Sequence, residues 1–437
     1  MKKRTRISLV VLLGLPFATL AQDTIVISHA ELLQKATEKN IQLKIAQKNT
    51  ESAKADFRQT NALFMPSISA SYTGISTTNP LMAFGSKLNQ EVLSASDFNP
   101  ELLNNPNKTK NFATKIEVMQ PLLNADGWLG RIAAQNKMDA YVLQQGRYQE
   151  YLIWETNKAY SQLQLAYKAL EVVQKAKQTA TINLRTVSHY FAQGLIQKTD
   201  VLAMQIRVNE VENQVQFALS SVQNASDYLA YLLDDNTKKS TYKPADQLVQ
   251  IEQTSETIML IPESRKDIQA ASKSTEAYQA MHKSSVLHLL PKLNAFGNYE
   301  LYDTELLGTK AKGYTIGAQL SWSVFDGYSS IGKMQKAKAE AQKSSLELAQ
   351  YKAQSQLELN STYRKLTDLT NKVSLSKLAL AQSVEAYTIK ANRFAQGLEK
   401  TTDLLNTETQ VLQKELEHLQ AIFDYQVTQH YIHFLTH

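Results

Sequence analysis

The sequence predicts a mainly α-helical chain with an internal duplication, in which four β-strands per chain contribute to a transmembrane β-barrel. First, the pentapeptide Phe-Ala-Gln-Gly-Leu occurs at 191–195 and again at 394–398, and a Thr-Asp pair follows each copy at the same offset. Second, apolar and polar residues alternate in four short segments. Third, proline and glycine are almost absent beside both pentapeptides. Since a repeat at one fixed offset indicates a repeated structural unit, we predict two copies of a helix–turn–helix, each turning at its glycine.

Residues 1–21 have the features of a secretory signal peptide. Four basic residues precede a short apolar run, and small residues at 19 and 21 suit cleavage before Gln22. Without those four residues the chain keeps 43 of its 47 Lys and Arg against 41 Asp and Glu, a net charge of +2. The charge therefore gives no argument for a nucleic acid partner.

Residues for catalysis or metal binding are scarce. The chain has no cysteine, which excludes disulfides, thiolate metal sites, a cysteine nucleophile and a lipidated N-terminal cysteine. His430, His433 and His437 have helical spacing, but a solvated helix end is favoured over a metal site. Phosphate-binding glycine loops and nucleophile motifs are absent from the sequence. We therefore expect no cofactor, no metal and no enzymatic activity.

Four segments are predicted to be strands: 67–76, 111–121, 291–302 and 312–325. In the first, Ile68, Ala70 and Tyr72 alternate with Ser and Thr. Such alternation is typical of a barrel strand with one face towards lipid and one towards a wet lumen, although an ordinary half-exposed sheet has a comparable pattern. The Pro/Asn/Ser-containing loop 79–110 joins the first two strands, and about ten residues join the last two, so each pair is predicted to be a hairpin.

Long helices are predicted at 128–190 and 328–393, each about 90–100 Å long at 1.5 Å per residue. Shorter helices are predicted over 28–64, ending before Pro66, and from Glu263 towards Pro291. Apolar residues between 201 and 232 keep the 3/4 spacing of a coiled coil. The predicted organisation is a first repeat at 22–236, a connecting region at 237–262 and a second repeat at 263–437.

Four strands are too few for a closed barrel, since the smallest known barrels need about eight. Open sheet edges in lipid would leave backbone amides unpaired at high cost. Several chains are therefore expected to share one barrel, with their helices forming a shared tube.

The chain resembles the outer membrane efflux protein (TolC) family over essentially its whole mature length. Both Phe-Ala-Gln-Gly-Leu segments carry this resemblance, and so do four other stretches: 39–43 (KNIQL), 64–72 (FMPSISASY), 120–122 (QPL) and 290–293 (LPKL). One departure is Ser264-Arg265-Lys266-Asp267, where many members have Arg-Pro-Asp. The chain also lacks a lipobox cysteine, and in this respect it resembles the unlipidated branch of the family.

This resemblance implies a homotrimer with a 12-stranded barrel and a long α-helical tunnel, in the outer membrane of a Gram-negative bacterium with a periplasmic extension. The implied partners are outer-membrane lipid, a periplasmic adaptor (membrane fusion) protein and an inner-membrane transporter of the RND, ABC or MFS type. The expected function is the exit duct of a tripartite efflux system for drugs or other small molecules. A duct for type I protein secretion is the alternative, and a periplasmic coiled-coil scaffold without a pore is a further one.

Site residues follow from the same resemblance. Gly194 with Leu195, and Gly397 with Leu398, occupy the positions of the periplasmic tip that contacts the adaptor. Asp403 matches an acidic position at the closed end of the tunnel, and Asp200 is its copy in the first repeat. Asp200, Asp403 and the neighbouring Glu399 are thus candidates for an acidic ring that favours cations. The two aspartates could equally cap the helices that follow the turns, and Glu399 could simply be solvated.

Overall fold

The computed structural model describes residues 24–235, 241–248 and 260–437. The predicted signal peptide at 1–21 lies outside the described residues. The same holds for most of the predicted connecting region at 237–262, of which 241–248 and 260–262 are described.

Helices make up most of the described chain. Their bounds are α1 His29–Lys39, α2 Ile41–Gln59, α3 Pro80–Asn89, α4 Pro100–Asn104, α5 Ala125–Ala192, α6 Lys198–Leu232, α7 Lys266–Leu287, α8 Ser329–Ala395 and α9 Thr401–Thr436. The two long helices, α5 and α8, contain 68 and 67 residues and end close to the predicted positions. Within the described ranges, no helix has an apolar stretch long enough to cross a membrane.

The single helix predicted at 28–64 is wrong, because the structure divides it at Asn40. The backbone of Asn40 leaves the helical region (φ −55°, ψ 124°) and ends α1. Its side-chain amide is buried and donates a hydrogen bond to the carbonyl of Leu232 at 3.0 Å. A contact 192 positions away therefore stabilises the break.

Six strands form two sheets in the described residues: β1 Thr24–Ile27, β2 Ser67–Thr77, β3 Thr109–Leu123, β4 Thr241–Pro244, β5 Lys292–Asp303 and β6 Ala311–Ser321. β1 and β4 form a parallel pair. The other four form an antiparallel sheet with the order β2-β3-β5-β6. β3 and β5 are adjacent, so the two predicted hairpins join into one sheet.

The register of this sheet places the alternating apolar residues on one side. Ile116 lies opposite both Ala70 and Tyr299, and Tyr299 lies opposite Tyr314. Directly opposed residues share a face. We call this side the apolar face: Ile68, Ala70, Tyr72, Phe112, Ile116, Val118, Leu293, Ala295, Tyr299, Leu301, Tyr314, Ile316, Ala318 and Leu320. The other side is the polar face, rich in Ser, Thr, Asn and charged residues.

Two further differences from the sequence expectations concern segments next to the strands. The predicted loop 79–110 contains α3 and α4, each with a proline near its start and an asparagine N-cap. The predicted strand 312–325 stops at Ser321, and the indole of Trp322 donates to the carbonyl of Leu289 at 3.0 Å. Asp326 then accepts a hydrogen bond from the backbone of Ser330 at 2.9 Å, close to the start of α8.

The chain divides into two compact units. Unit 1 takes its described residues from Met1–Ile41, Leu152–Ser255 and Thr362–Ile432, and unit 2 from Gln42–Tyr151, Glu256–Ser361 and His433–His437. A buried apolar cluster in unit 1 joins residues from α5, α6, α8 and α9: Leu165, Val172, Val173, Val211, Val215, Leu369, Val373, Leu412, Leu419, Ala421, Ile422 and Tyr425. Unit 2 contains the four-stranded sheet.

A buried ionic group in unit 2 surrounds the start of α7. Arg265 pairs with Asp267 through two hydrogen bonds of 2.7 and 2.8 Å and donates to the carbonyl of Leu435 at 3.1 Å. Arg147 donates to the carbonyl of Phe434 at 2.9 Å. Burial opposes ionisation of Asp267, but hydrogen bonds from Arg265 and Tyr351 hold the pKa of this carboxyl below its usual value. Both arginines thus stabilise the last carbonyls of α9.

Candidate functional site: two helix turns and a paired sheet

The two Phe-Ala-Gln-Gly-Leu segments form matching turns at the ends of α5 and α8. Gly194 and Gly397 have φ angles of +74° and +73°. In each turn the leucine amide reaches back five residues: Leu195 donates to the carbonyl of Tyr190 at 2.9 Å, and Leu398 to that of Arg393 at 3.0 Å. This is the six-residue hydrogen bond of a Schellman C-cap, which requires a left-handed residue and favours glycine.

Both turns belong to unit 1 and lie side by side. The hydroxyl of Tyr190 in the first copy donates to the carbonyl of Ala395 in the second at 3.0 Å, and its ring contacts that of Phe394 with centroids 5.7 Å apart. Behind them is a small buried apolar cluster consisting of Val187, Met204, Phe394 and Leu404. The duplicated sequence predicted each turn, but the pairing of the two turns and the part played by Tyr190 had no signal in the sequence.

An open pocket of about 760 Å³ lies between the turns. Its lining includes Leu195, Asp200, Gly397 and Glu399, which are four of the residues singled out in the sequence. Gly194, Leu398 and Asp403 are not among the lining residues. Leu195 and Leu398 nevertheless leave 68% and 62% of their surface exposed, so each turn presents a large apolar side chain to solvent.

Asp200 makes the hydrogen bond of a helix cap. Its carboxylate accepts from the backbone amide of Gln197, the N-cap of α6, at 3.1 Å. Such a contact satisfies one of the free amides at a helix start. The equivalent Asp403 lies in the first turn of α9 and is half-buried. The two aspartates therefore occupy equivalent places along the chain.

Glu399 is enclosed by basic side chains of its own chain. Its carboxylate accepts hydrogen bonds from Lys390 at 2.8 Å and Arg393 at 3.1 Å, and its side chain is 11% exposed. The hydrogen bond from Lys390 is the largest of the effects that lower the pKa of Glu399, and the neighbouring Asp403 carboxyl contributes as well. Glu399 is thus a paired anion beside Asp403.

A buried polar group lies farther along the same helices. Arg207 on α6 and Glu408 on α9 are 5% and 4% exposed, and their side chains meet at 3.3 Å. The amide of Asn183 donates to Glu408 at 2.7 Å and to the hydroxyl of Tyr387 at 3.2 Å. Burial raises the pKa of Glu408 against the opposing influence of Asn183 and Arg207. Apolar spacing alone did not predict this group; the one signal in the sequence is Arg207, a charged residue three positions after Met204 in the apolar pattern of α6.

The polar face of the sheet carries charges at its centre. Lys115 lies 3.0 Å from Glu117 on the same strand and 4.0 Å from Glu300 on the neighbouring strand. The hydroxyl of Tyr302 donates to Glu300. One lysine with two glutamates leaves a net charge of −1 at the centre of this face, opposite the uncharged centre of the apolar face.

Two of the C-terminal histidines lie side by side near the end of α9. The rings of His433 and His437 lie 4.1 Å apart, and His437 also contacts the carbonyl of His433. Across residues 24–235, 241–248 and 260–437, no group of three or more His, Asp or Glu side chains is placed to hold a metal ion.

Comparisons with solved structures show the same fold in several outer membrane proteins. VceC from Vibrio cholerae is 17% identical with a TM-score of 0.77, over 93% of this chain and 96% of that one. The CmeC channel of Campylobacter jejuni is 15% identical (TM-score 0.80, 93% and 85% covered), and the open-state MtrE channel of Neisseria gonorrhoeae is 16% identical (TM-score 0.76, 93% and 88% covered). A comparison with curated proteins found no match.

The sequence also matches a known protein family over most of its length. A sequence model described as "Outer membrane efflux protein" matches residues 32–233 and 258–434, which is most of the chain and both of its repeats. The predicted resemblance and outer membrane location are thereby confirmed. The chain belongs to the outer membrane efflux protein family, a family of channel proteins.

Proposed function

We propose that this protein is the trimeric outer-membrane channel-tunnel of a tripartite efflux system. It acts as a passive exit duct for drugs or other small molecules and catalyses no reaction. Its partners are a periplasmic adaptor protein and an inner-membrane transporter of the RND, ABC or MFS type, which supplies the energy.

The four-stranded sheet carries this proposal. β2 and β6 are its edge strands, and each contains 11 residues, which matches the 9–11 residues that a transmembrane strand needs. In lipid their unpaired backbone groups require partners. β2 and β6 run in opposite directions, so β6 of one copy can pair antiparallel with β2 of the next. Three copies then supply twelve strands, an even number as in other bacterial barrels.

The separation of the two faces supports the same arrangement. Ile316, Tyr314 and Ile68 on the apolar face are 79%, 76% and 70% exposed in the single chain, which is unusual for large apolar side chains. Lipid contact would cover them, while the polar face with Lys115 and Glu300 would line a wet lumen. A water-soluble sheet would leave this apolar surface in water.

The paired turns are proposed as the periplasmic tip. Leu195 and Leu398 supply exposed apolar contacts for the adaptor, one from each repeat. Asp200, Glu399 and Asp403 lie next to these turns and would form acidic positions at the entrance in a trimer. Glycine at 194 and 397 allows the reversal of each helix pair within a few residues.

The test uses purified full-length protein in planar bilayers, with its mass measured in detergent. We expect discrete conductance steps and the mass of three chains. A monomeric mass together with no conductance would exclude the duct and favour a scaffold without a pore.

A further inference from the structure

The loop end of the four-stranded sheet carries a group of lysines. All four strands connect to helices at one end, and the connections 78–108 and 304–310 lie at the other, which we call the loop end. β3 and β6 both begin there. Lys110 and Lys312 are the second residues of these strands, and Lys108 and Lys310 lie two positions before them.

The register places two of these lysines at the border of the apolar face. Lys110 lies opposite Ser76, two residues from Phe112, and Lys312 lies opposite Leu301, two residues from Tyr314. Both lysines are exposed. Aromatic rings follow them along the face, where Tyr72 stacks on Phe112 with centroids 6.3 Å apart and Tyr299 lies opposite Tyr314.

Three of these four lysines lack a carboxylate partner among the described residues, and the fourth, Lys310, has a distant one. Among the described residues, Lys108, Lys110 and Lys312 form no ion pair, and Lys310 comes only within 3.9 Å of Asp303. A lysine elsewhere in the same loops does have a partner, since Lys87 contacts Asp97 at 2.7 Å.

The opposite end of the sheet differs in this respect. There Lys292 is paired with Asp126 at 2.7 Å, and the guanidinium of Arg131 lies over the ring of Phe57 at 4.3 Å. Unpaired positive charge at the border of the apolar face is thus found at the loop end.

We propose that Lys110 and Lys312, with Lys108 and Lys310 beside them, bind the phosphate groups of lipopolysaccharide in the outer leaflet. The inference rests on the proposed function, which directs the apolar face towards lipid and the loop end away from the periplasmic helices. Acyl chains then cover the apolar face, the aromatic rings lie at the interface, and the lysine stems extend their ammonium groups towards the headgroups. Phosphate is the complementary anion, because each ammonium keeps donors available for its oxygens.

The experiment titrates full-length protein in detergent with lipopolysaccharide that carries both lipid A phosphates. The same glycolipid after enzymatic removal of the phosphates is the second probe, and phosphatidylglycerol is the third. The test variant is Lys110→Gln with Lys312→Gln. The matched control is Lys44→Gln with Lys54→Gln, two exposed lysines of α2 for which the described residues hold no ion pair. Lys110→Arg with Lys312→Arg keeps the charges.

We expect the test variant to bind phosphorylated lipopolysaccharide roughly twentyfold more weakly than wild type. The control and the arginine variant should bind like wild type, and removal of the phosphates should abolish the difference. Equal binding by wild type and test variant, equal binding of both glycolipids, or equal affinity for phosphatidylglycerol would overturn the proposal. Conductance of the same preparations is recorded separately. If wild type shows no conductance, the proposed duct is contradicted. If conductance is intact and the test variant binds lipopolysaccharide as wild type does, only the lysine site is contradicted.

Discussion

Arg207 and Glu408 stand 201 positions apart in the sequence and meet at 3.3 Å in the buried interior of unit 1. Each belongs to the helix that follows one of the repeated turns. The repeat offset would place Gln410 at the equivalent of Arg207 and Gln205 at the equivalent of Glu408, so the duplication does not repeat this ion pair. The ion pair arises from packing between the two repeats of one chain, and its contribution to stability can be measured.

Replacing one residue of the Arg207–Glu408 pair should destabilise the folded state more than replacing both. Arg207→Met leaves the Glu408 carboxylate buried without its cation, and we expect a loss of about 3 kcal/mol in the free energy of unfolding. The double variant Arg207→Met, Glu408→Met should lie within about 1 kcal/mol of wild type, because well-packed apolar side chains can replace a buried pair. Denaturant unfolding of wild type, Arg207→Met, Glu408→Met and the double variant measures this double-mutant cycle. Additive losses would show that the two side chains do not interact.

Glu399 predicts a dependence of tip stability on pH. Its pKa in the folded chain lies below the ordinary value of 4.5, mainly because of the hydrogen bond from Lys390. The ionised carboxylate therefore stabilises the folded state above about pH 4.5, and this stabilisation disappears as the pH falls through the lowered pKa. The melting temperature of wild type should approach that of Glu399→Gln as the pH falls from about 4.5 through the lowered pKa. Glu385→Gln, on an exposed position of α8, is the control and should show no such convergence.

Asp403 should influence ion passage if it lies at the entrance. With the duct as proposed, Asp403→Ala should lower the preference for cations or raise the conductance in planar bilayers, since three negative charges are removed near the tip. The control is Glu385→Ala, on the same unit but away from the turn. If Asp403→Ala keeps the selectivity and conductance of wild type, Asp403 has a role only at the helix start.

Substitution of the glycines in the two turns should destabilise the protein only because of their positive φ angles. A Cβ added at Gly194 or Gly397 would meet no other atom within 4 Å, but the positive φ angles are unfavourable for alanine. Each change to alanine should therefore lower the free energy of unfolding by about 1 kcal/mol. Gly332→Ala within α8 is the matched control, because it also meets open space but has no positive φ; it should stabilise by up to about 1 kcal/mol. Equal effects at all three positions would contradict the strain at the turns.

Local patterns predicted much of the secondary structure. The long helices, the four strands of the main sheet and the glycine turns each depend on residues within one or two turns or strand repeats, so their signals lie in contiguous sequence. Errors arose where a distant contact decides a boundary. The break at Asn40 is stabilised by the carbonyl of Leu232, and Trp322, which directly follows the end of β6, donates to the carbonyl of Leu289.

The sequence by itself determined that the chain is duplicated, that each copy reverses at a glycine, and that each sheet strand separates apolar from polar side chains. These properties follow from backbone sterics and from the periods of helix and strand. Only the tertiary structure decided that β3 and β5 are neighbours, that Tyr190 joins the two turns, and that Glu399 is paired with Lys390 and Arg393. The physical reason is that such contacts depend on packing between segments up to about 200 residues apart, for which local periodicity carries no information.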